Sequence, residues 1–305
     1  MNKRSKLHGV VVPMITPVTA GGEFDEAAAD GLLDSLMRGG VEGIFVLGTT
    51  GEAVNVPPQS RRRLVEHAVR RVGGRCLIYA GLGDLRLEEF STANEYLRAG
   101  ADAVVVRPPV TVPVPAPELA DWFRRLLDQV EGPLLLYNIP MTTGVSIPLD
   151  AVEQLLGHPR LAGFKDSENN PQRIEELLRR FGGRPDFSIF IGVGALMEQG
   201  LKLGADGIVP SVGNLVPEAC RELCRAASRG DWLAVGGHFA RMSTVAALYQ
   251  KGRTLDQSLA ALKAAAHVLG LCGPHVLPPL QPLSALEIQL LRAEMHRLHL
   301  LNGKA

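Results

Sequence analysis

The feature that most constrains the fold is a unit that recurs three times along the chain. "RGGVEGIFVLG" from Arg38, "RAGADAVVVRP" from Arg98 and "KLGADGIVPS" from Lys202 each run from the end of a helical pattern, through a glycine, into a short apolar strand. Glycine suits the position just past a helix because, lacking Cβ, it adopts positive φ without penalty. The strands are continuously apolar rather than alternating, the pattern of a parallel strand buried on both faces. Five further runs share that character: "GVVVPMI" at 9–15, "RCLIYAGL" at 75–82, "PLLLYNIP" at 133–140, "LAGFKD" at 161–166 and "FSIFIGV" at 187–193. Amphipathic helical patterns fill the intervals, among them "DEAAADGLLDSLMRGG", "PELADWFRRLLDQV" and "PQRIEELLRRFG".

Eight such units within about 220 residues predict an α/β chain folded as a (β/α)8 TIM barrel over residues 1–230. The alternative is an open doubly wound sheet, which a G-x-G-x-x-G fingerprint at a helix start would support. The Gly81-Leu82-Gly83 stretch lacks the third glycine. After residue 230 the strand signal stops, and three helical patterns separated by Gly/Pro punctuation predict a C-terminal helical extension over 231–305. The proline-rich "RPPVTVPVPAPE" at 107–118 reads as the long loop after strand four.

Lys+Arg and Asp+Glu both total 32, so no basic excess is available to neutralise phosphates, which argues against nucleic-acid binding. The "RRR" run at 61–63 lies in a helical pattern and reads as a solvated face. Cys76, Cys220, Cys224 and Cys272 have neither C-x-x-C spacing nor the density of a disulfide framework, and read as buried thiols in a reducing compartment. The N-terminal apolar run is short and broken by Pro13, so neither a signal peptide nor a membrane span is predicted. The expectation is a cytoplasmic protein.

Barrel active sites lie at the C-terminal ends of the strands. Strand two ends in "GTTGE" (Gly48 to Glu52), strand five in "YNIP" (Tyr137 to Pro140) and strand six in "KDS" (Lys165 to Ser167). Strand alternation puts Phe164 and Lys165 on opposite faces, and Phe164 suits the helix-facing side, which turns Lys165 into the barrel mouth. Burial there lowers an amine's pKa, and a neutral amine attacks a ketone to form a Schiff base. On position alone, the plainer reading of Lys165 is a structural charge paired with Asp166 or water. The "GTTGE" turn offers backbone N–H groups and the hydroxyls of Thr49 and Thr50, either as a grip for a small carboxylate or as helix caps. Tyr137, within an apolar strand, is either a satisfied core phenol or a proton shuttle.

In this order and spacing, the motifs resemble the dihydrodipicolinate synthase / N-acetylneuraminate lyase family, whose pattern is G-[ST]-T-G-E, then Y-N-x-P, then G-x-K. Here these stand as "GTTGE" at 48–52, "YNIP" at 137–140 and "GFK" at 163–165, and the likeness extends to "GVVVPMITP" and "GADGIVPSVGN". The resemblance implies a class I lyase acting on pyruvate and related 2-oxo acids, usually a homo-oligomer (a dimer or a tetramer built from dimers). It implies Lys165 as the imine-forming residue and Tyr137 as proton shuttle. Gly48, Thr49 and Thr50 would hold the pyruvate carboxylate, and Gly192 and Val209 would line the pocket. No metal or organic cofactor is implied, because the lysine imine is itself the electron sink.

The chain also departs from the family pattern. The loop after strand four carries Pro109 and Val110 where dihydrodipicolinate synthases have a tyrosine that crosses the dimer. Thr142 follows "YNIP" where those enzymes have an arginine, and Val193 and Gly194 stand where sialic acid lyases have an acidic pair. Thr142, Thr143 and Ser167 are neutral hydroxyl donors suited to a short hydroxylated chain. The expected reaction is therefore cleavage or condensation of pyruvate with an aldehyde, on a 2-keto-3-deoxy sugar acid or a 4-hydroxy-2-oxo acid. The alternatives are dihydrodipicolinate synthase proper, a dehydratase working through the same imine, and a non-catalytic 2-oxo-acid binding protein.

Overall fold

Eight parallel strands hydrogen-bond in chain order and close on themselves, the last pairing with the first through Gly9–Gly207 and Val10–Ile208. The computed structural model describes residues 6–82, 90–108 and 114–301, so Gly83, Pro109 and Val110 lie outside the described residues. The strands are β1 (Gly9–Pro13), β2 (Gly43–Val46), β3 (Leu77–Gly81), β4 (Ala103–Val106), β5 (Leu134–Asn138), β6 (Leu161–Asp166), β7 (Ser188–Ile191) and β8 (Gly207–Ile208). Each expected apolar run contains one of them. The doubly wound alternative is thereby excluded.

Helices α1 (Glu26–Arg38), α2 (Pro58–Val72), α3 (Phe90–Arg98) and α4 (Ala116–Gln129) follow the first four strands. Two short helices, α5 (Pro140–Thr143) and α6 (Leu149–Glu153), follow β5. Then come α7 (Pro171–Phe181), α8 (Met197–Lys202) and α9 (Pro217–Ser228). Past the barrel lie α10 (Trp232–Gln250), α11 (Leu255–Val268) and α12 (Ala285–Arg297). The glycines of the repeated unit, Gly40, Gly100 and Gly204, have φ of 71°, 105° and 94°, as their place after α1, α3 and α8 requires.

Strand alternation splits the core into two clusters. Ile44, Val104, Leu136, Phe164, Ile189 and Ile191 face the helices, in one cluster that runs from Val10 to Met295. Val11, Phe45, Tyr79, Val105, Leu135, Tyr137, Phe190 and Val209 fill the barrel interior. In the arginine run, Arg62 and Arg63 are exposed and pair with Glu66 and Glu26. The cysteines are free thiols, but only Cys220 and Cys272 are buried; Cys76 and Cys224 are half-buried, a correction to the reading of all four as core. Among the described residues no helix is long and apolar enough to cross a membrane.

Candidate active site

Lys165 enters the barrel from β6, with Tyr137 of β5 on one side and Phe190 of β7 on the other in strand register. Its neighbour Phe164 faces the helices, so the alternation expected from the sequence holds. The lysine is 5% exposed, with Nζ 3.8 Å from the Tyr137 ring centroid and 4.9 Å from that of Phe45. Val11, Tyr79, Val105, Leu135 and Val209 line the small space around it. Burial among these side chains pushes the Lys165 pKa down, opposed by the charge and hydrogen bonding of the Tyr137 phenol.

Burial pushes the Tyr137 phenol up, but the Lys165 ammonium and the nearby hydroxyls of Thr49 and Ser167 outweigh it and draw the phenol below its usual value. The attraction between the pair exists only when both are ionised, so the two groups titrate together. Burial is what lowers Lys165, and it outweighs the opposing pull of the phenol.

Asp166 points away from Lys165, so the pairing of the two is not found, and serves the β6–α7 corner. It is fully buried, accepts from Asn138 Nδ2 at 3.0 Å and from the Glu168 N–H at 2.8 Å, and meets Arg173 Nε at 2.7 Å. Asn138, the second residue of "YNIP", also donates to Glu168 at 3.0 Å and accepts from the Ile147 N–H at 2.9 Å. It thereby ties the ends of β5 and β6 together on the flank of the reactive pair.

The "GTTGE" turn closes through hydrogen bonds from the Gly51 and Ala53 N–H groups to Gly48 O and from the Glu52 N–H to Thr49 O. The N–H groups of Thr49 and Thr50 donate to no acceptor among the described residues, which leaves two adjacent donors on the turn. A cavity of about 490 Å³ opens above it, lined by Gly48, Thr49, Tyr137 and Thr142 but not by Thr50. Gly192 borders the lysine: a Cβ there would overlap Ser167 Oγ and approach Lys165 Cε at 3.1 Å.

Thr143 corrects the sequence reading. Its buried hydroxyl lies 2.9 Å from Val145 O and 3.1 Å from Ile139 O, so it finishes the α5 turn rather than facing a substrate. Three features escaped the sequence reading. Arg107 at the end of β4 lines the cavity, visible only as a charge closing the run "VVVR". Leu255, Asp256, Leu259 and Leu280 of the C-terminal extension also line it. Glu52 turns away from the reactive pair toward Lys263, a lone cation in the apolar run "SLAALKAAAHVL".

A family model described as "Dihydrodipicolinate synthetase family" matches residues 6–297. A 4-hydroxy-tetrahydrodipicolinate synthase of Xylella fastidiosa is 32% identical over 283 residues, 91% of this chain and 90% of that protein. YagE of Escherichia coli K12, whose name assigns it provisionally as a 2-dehydro-3-deoxy-D-gluconate aldolase, is 29% identical over 282 residues, 90% of this chain and 91% of YagE. Among solved structures, the dihydrodipicolinate synthase of Bacteroides thetaiotaomicron superposes with a TM-score of 0.91 at 29% identity, over 96% of this chain and 99% of that one. YagE in complex with pyruvate superposes at 0.89 with 27% identity, over 96% and 99%.

Proposed function

The chain belongs to the dihydrodipicolinate synthetase family of class I lysine Schiff-base lyases, and from that premise we propose that Lys165 forms the imine and Tyr137 moves its protons. The observation that carries this reading is a buried lysine, its pKa depressed by apolar surroundings, packed against a tyrosine at the mouth of a barrel. The neutral amine attacks the 2-oxo carbon. Tyr137, backed by Thr49 and Ser167, delivers and removes protons as the carbinolamine loses water. As the C4 hydroxyl gives its proton to the Tyr137 phenolate, the protonated imine accepts the C3–C4 bonding pair and the aldehyde leaves; the enamine then takes a proton at C3, and hydrolysis returns pyruvate and the free amine. Condensation is the reverse.

The two N–H groups and hydroxyls of Thr49 and Thr50 suit the pyruvate carboxylate, and the pyruvate bound in YagE supports that substrate. A cavity of about 490 Å³ falls within the ~300–1,000 Å³ range of small-molecule sites and is too large for pyruvate alone. We assign the remainder to an aldehyde carrying hydroxyls, as a 2-keto-3-deoxy sugar acid or a 4-hydroxy-2-oxo acid would supply, with Thr142 of the cavity lining as a contact and Ser167 beside Tyr137 outside that lining. Dihydrodipicolinate synthase activity is the second reading, favoured by the name of the Xylella fastidiosa relative and disfavoured by Thr142 in place of arginine. The protein is proposed to act as a homo-oligomer in the cytoplasm. Exposed Leu286 and Leu290, one turn apart on α12, and Leu233 on α10 supply apolar surface for contact between copies, and the free thiols suit a reducing compartment.

The test is incubation with pyruvate and borohydride, followed by intact-mass measurement and peptide mapping. One reduced pyruvate adduct on Lys165 is expected. No mass gain, or an adduct elsewhere, overturns the mechanism. Screening 2-keto-3-deoxy acids for released pyruvate then separates cleavage from dehydration, since a dehydratase releases none.

A further inference from the structure

The residue that ends the "GTTGE" turn is held by the opposite end of the chain. Glu52, 3% exposed, forms an ion pair with Lys263 of α11, which is 0% exposed. Its other oxygen accepts from the Leu277 N–H at 2.7 Å. One carboxylate thus ties the turn to two points 211 and 225 positions further along the chain. The turn itself stands between two non-glycine residues of positive φ, Leu47 at 58° and Glu52 at 54°. Such conformations are strained for residues with a Cβ and persist only where the surroundings over-determine them.

Stability alone does not account for the pair. Desolvating two ions costs several kcal/mol each, and apolar residues of similar volume often serve the fold equally well. What an ion pair supplies and an apolar contact does not is a fixed direction. Here that direction is imposed two residues after Thr50, on a turn whose adjacent Thr49 and Thr50 N–H groups donate to no acceptor among the described residues. We infer that Glu52 and Lys263 are positioning residues: the C-terminal extension, through this ion pair, holds the 48–51 turn in the conformation that receives the carboxylate of the 2-oxo acid. The inference rests on the reading of that turn as the carboxylate grip.

The expected signature is on binding rather than on chemistry, because burial and Tyr137, and neither Glu52 nor Lys263, are what shift the Lys165 amine. K263M leaves Glu52 buried without its cation and threatens the fold, so the decisive variant is E52Q/K263M, which keeps no buried charge. Thermal unfolding establishes that it is folded, and adduct formation is then followed over a range of pyruvate concentrations. Half-saturation by pyruvate should rise about tenfold, the equivalent of 1.4 kcal/mol of binding, while the limiting rate of adduct formation stays within about threefold of the parent. A folded double variant with unchanged half-saturation overturns the inference, and so does one whose limiting rate alone falls. Failure of the parent chain to take up pyruvate at Lys165 overturns the underlying reading of the site instead.

Discussion

Tyr137 stands in two relations to Lys165 that a single substitution separates. Its phenol favours the ammonium form and so opposes the effect of burial on the lysine. It also faces Thr49 and Ser167, which lets it carry protons. Removing the hydroxyl in Y137F withdraws the support for the ammonium, so the Lys165 pKa should fall further and more of the amine should be free at neutral pH. If Tyr137 only tuned the lysine, imine formation would accelerate. If it is the proton shuttle, the pH-independent rate should drop about 10²- to 10⁴-fold despite the freer amine. The pH profile of pyruvate adduct formation checks both. In the parent, the rate rises with pH through a midpoint below the ordinary lysine value of about 10.4, and in Y137F that midpoint moves lower. The same depression makes folding release a proton, so this lysine penalises the fold at low pH. The penalty is full below the lowered value and is relieved as pH rises from there to the ordinary lysine value.

At the scale of elements, the site depends on how closely β6 approaches β7. Gly163 lies two residues before Lys165, and a Cβ there would overlap the Ser188 carbonyl, part of a backbone that cannot swing aside. G163A should therefore push β6 outward, costing about 1–3 kcal/mol as overpacking does, and should slow adduct formation about 10²-fold, the order expected when a reacting group shifts by an ångström. Thermal unfolding and the adduct rate read the two effects separately, and a variant with parental values in both would show that the strand pair has slack. Gly163 was visible in the sequence only as the first letter of "GFK". The strands themselves were legible because parallel strands buried on both faces leave continuous apolar runs that flank their glycines. The α5 turn was not: "MTTG" carries no periodicity, and only the backbone shows that Thr143 closes the turn while Thr142 lines the cavity. Lys165, Tyr137 and Thr49 were legible because each ends a strand on the same rim. The Glu52–Lys263 pair was not, because contacts across 211 positions leave no local pattern.

On the scale of the whole molecule, the C-terminal helices share the barrel's helix-facing core and do not merely cover it. The helix-facing core continues without a break from Val10 of β1 to Met295 of α12, and Ala261, Leu262 and Ala264 to Ala266 of α11 are all buried in it. Leu255, Asp256 and Leu259 of the same helix line the cavity above Tyr137. Lys263 neutralises the one carboxylate of the active-site turn. A chain ending at residue 230 would keep all eight strands, so strand count alone predicts an intact barrel. It would nevertheless expose the face on which α10, α11 and α12 pack and leave Glu52 without its cation. Glu52, one of the two strained residues of the turn, would then lose both Lys263 and the Leu277 N–H. The expected outcome is that residues 1–230 show no single cooperative transition in urea, followed by circular dichroism, and form no pyruvate adduct. A sharp transition with adduct formation intact would instead make the extension an accessory layer, and would leave the barrel alone responsible for the shape of the carboxylate-binding turn.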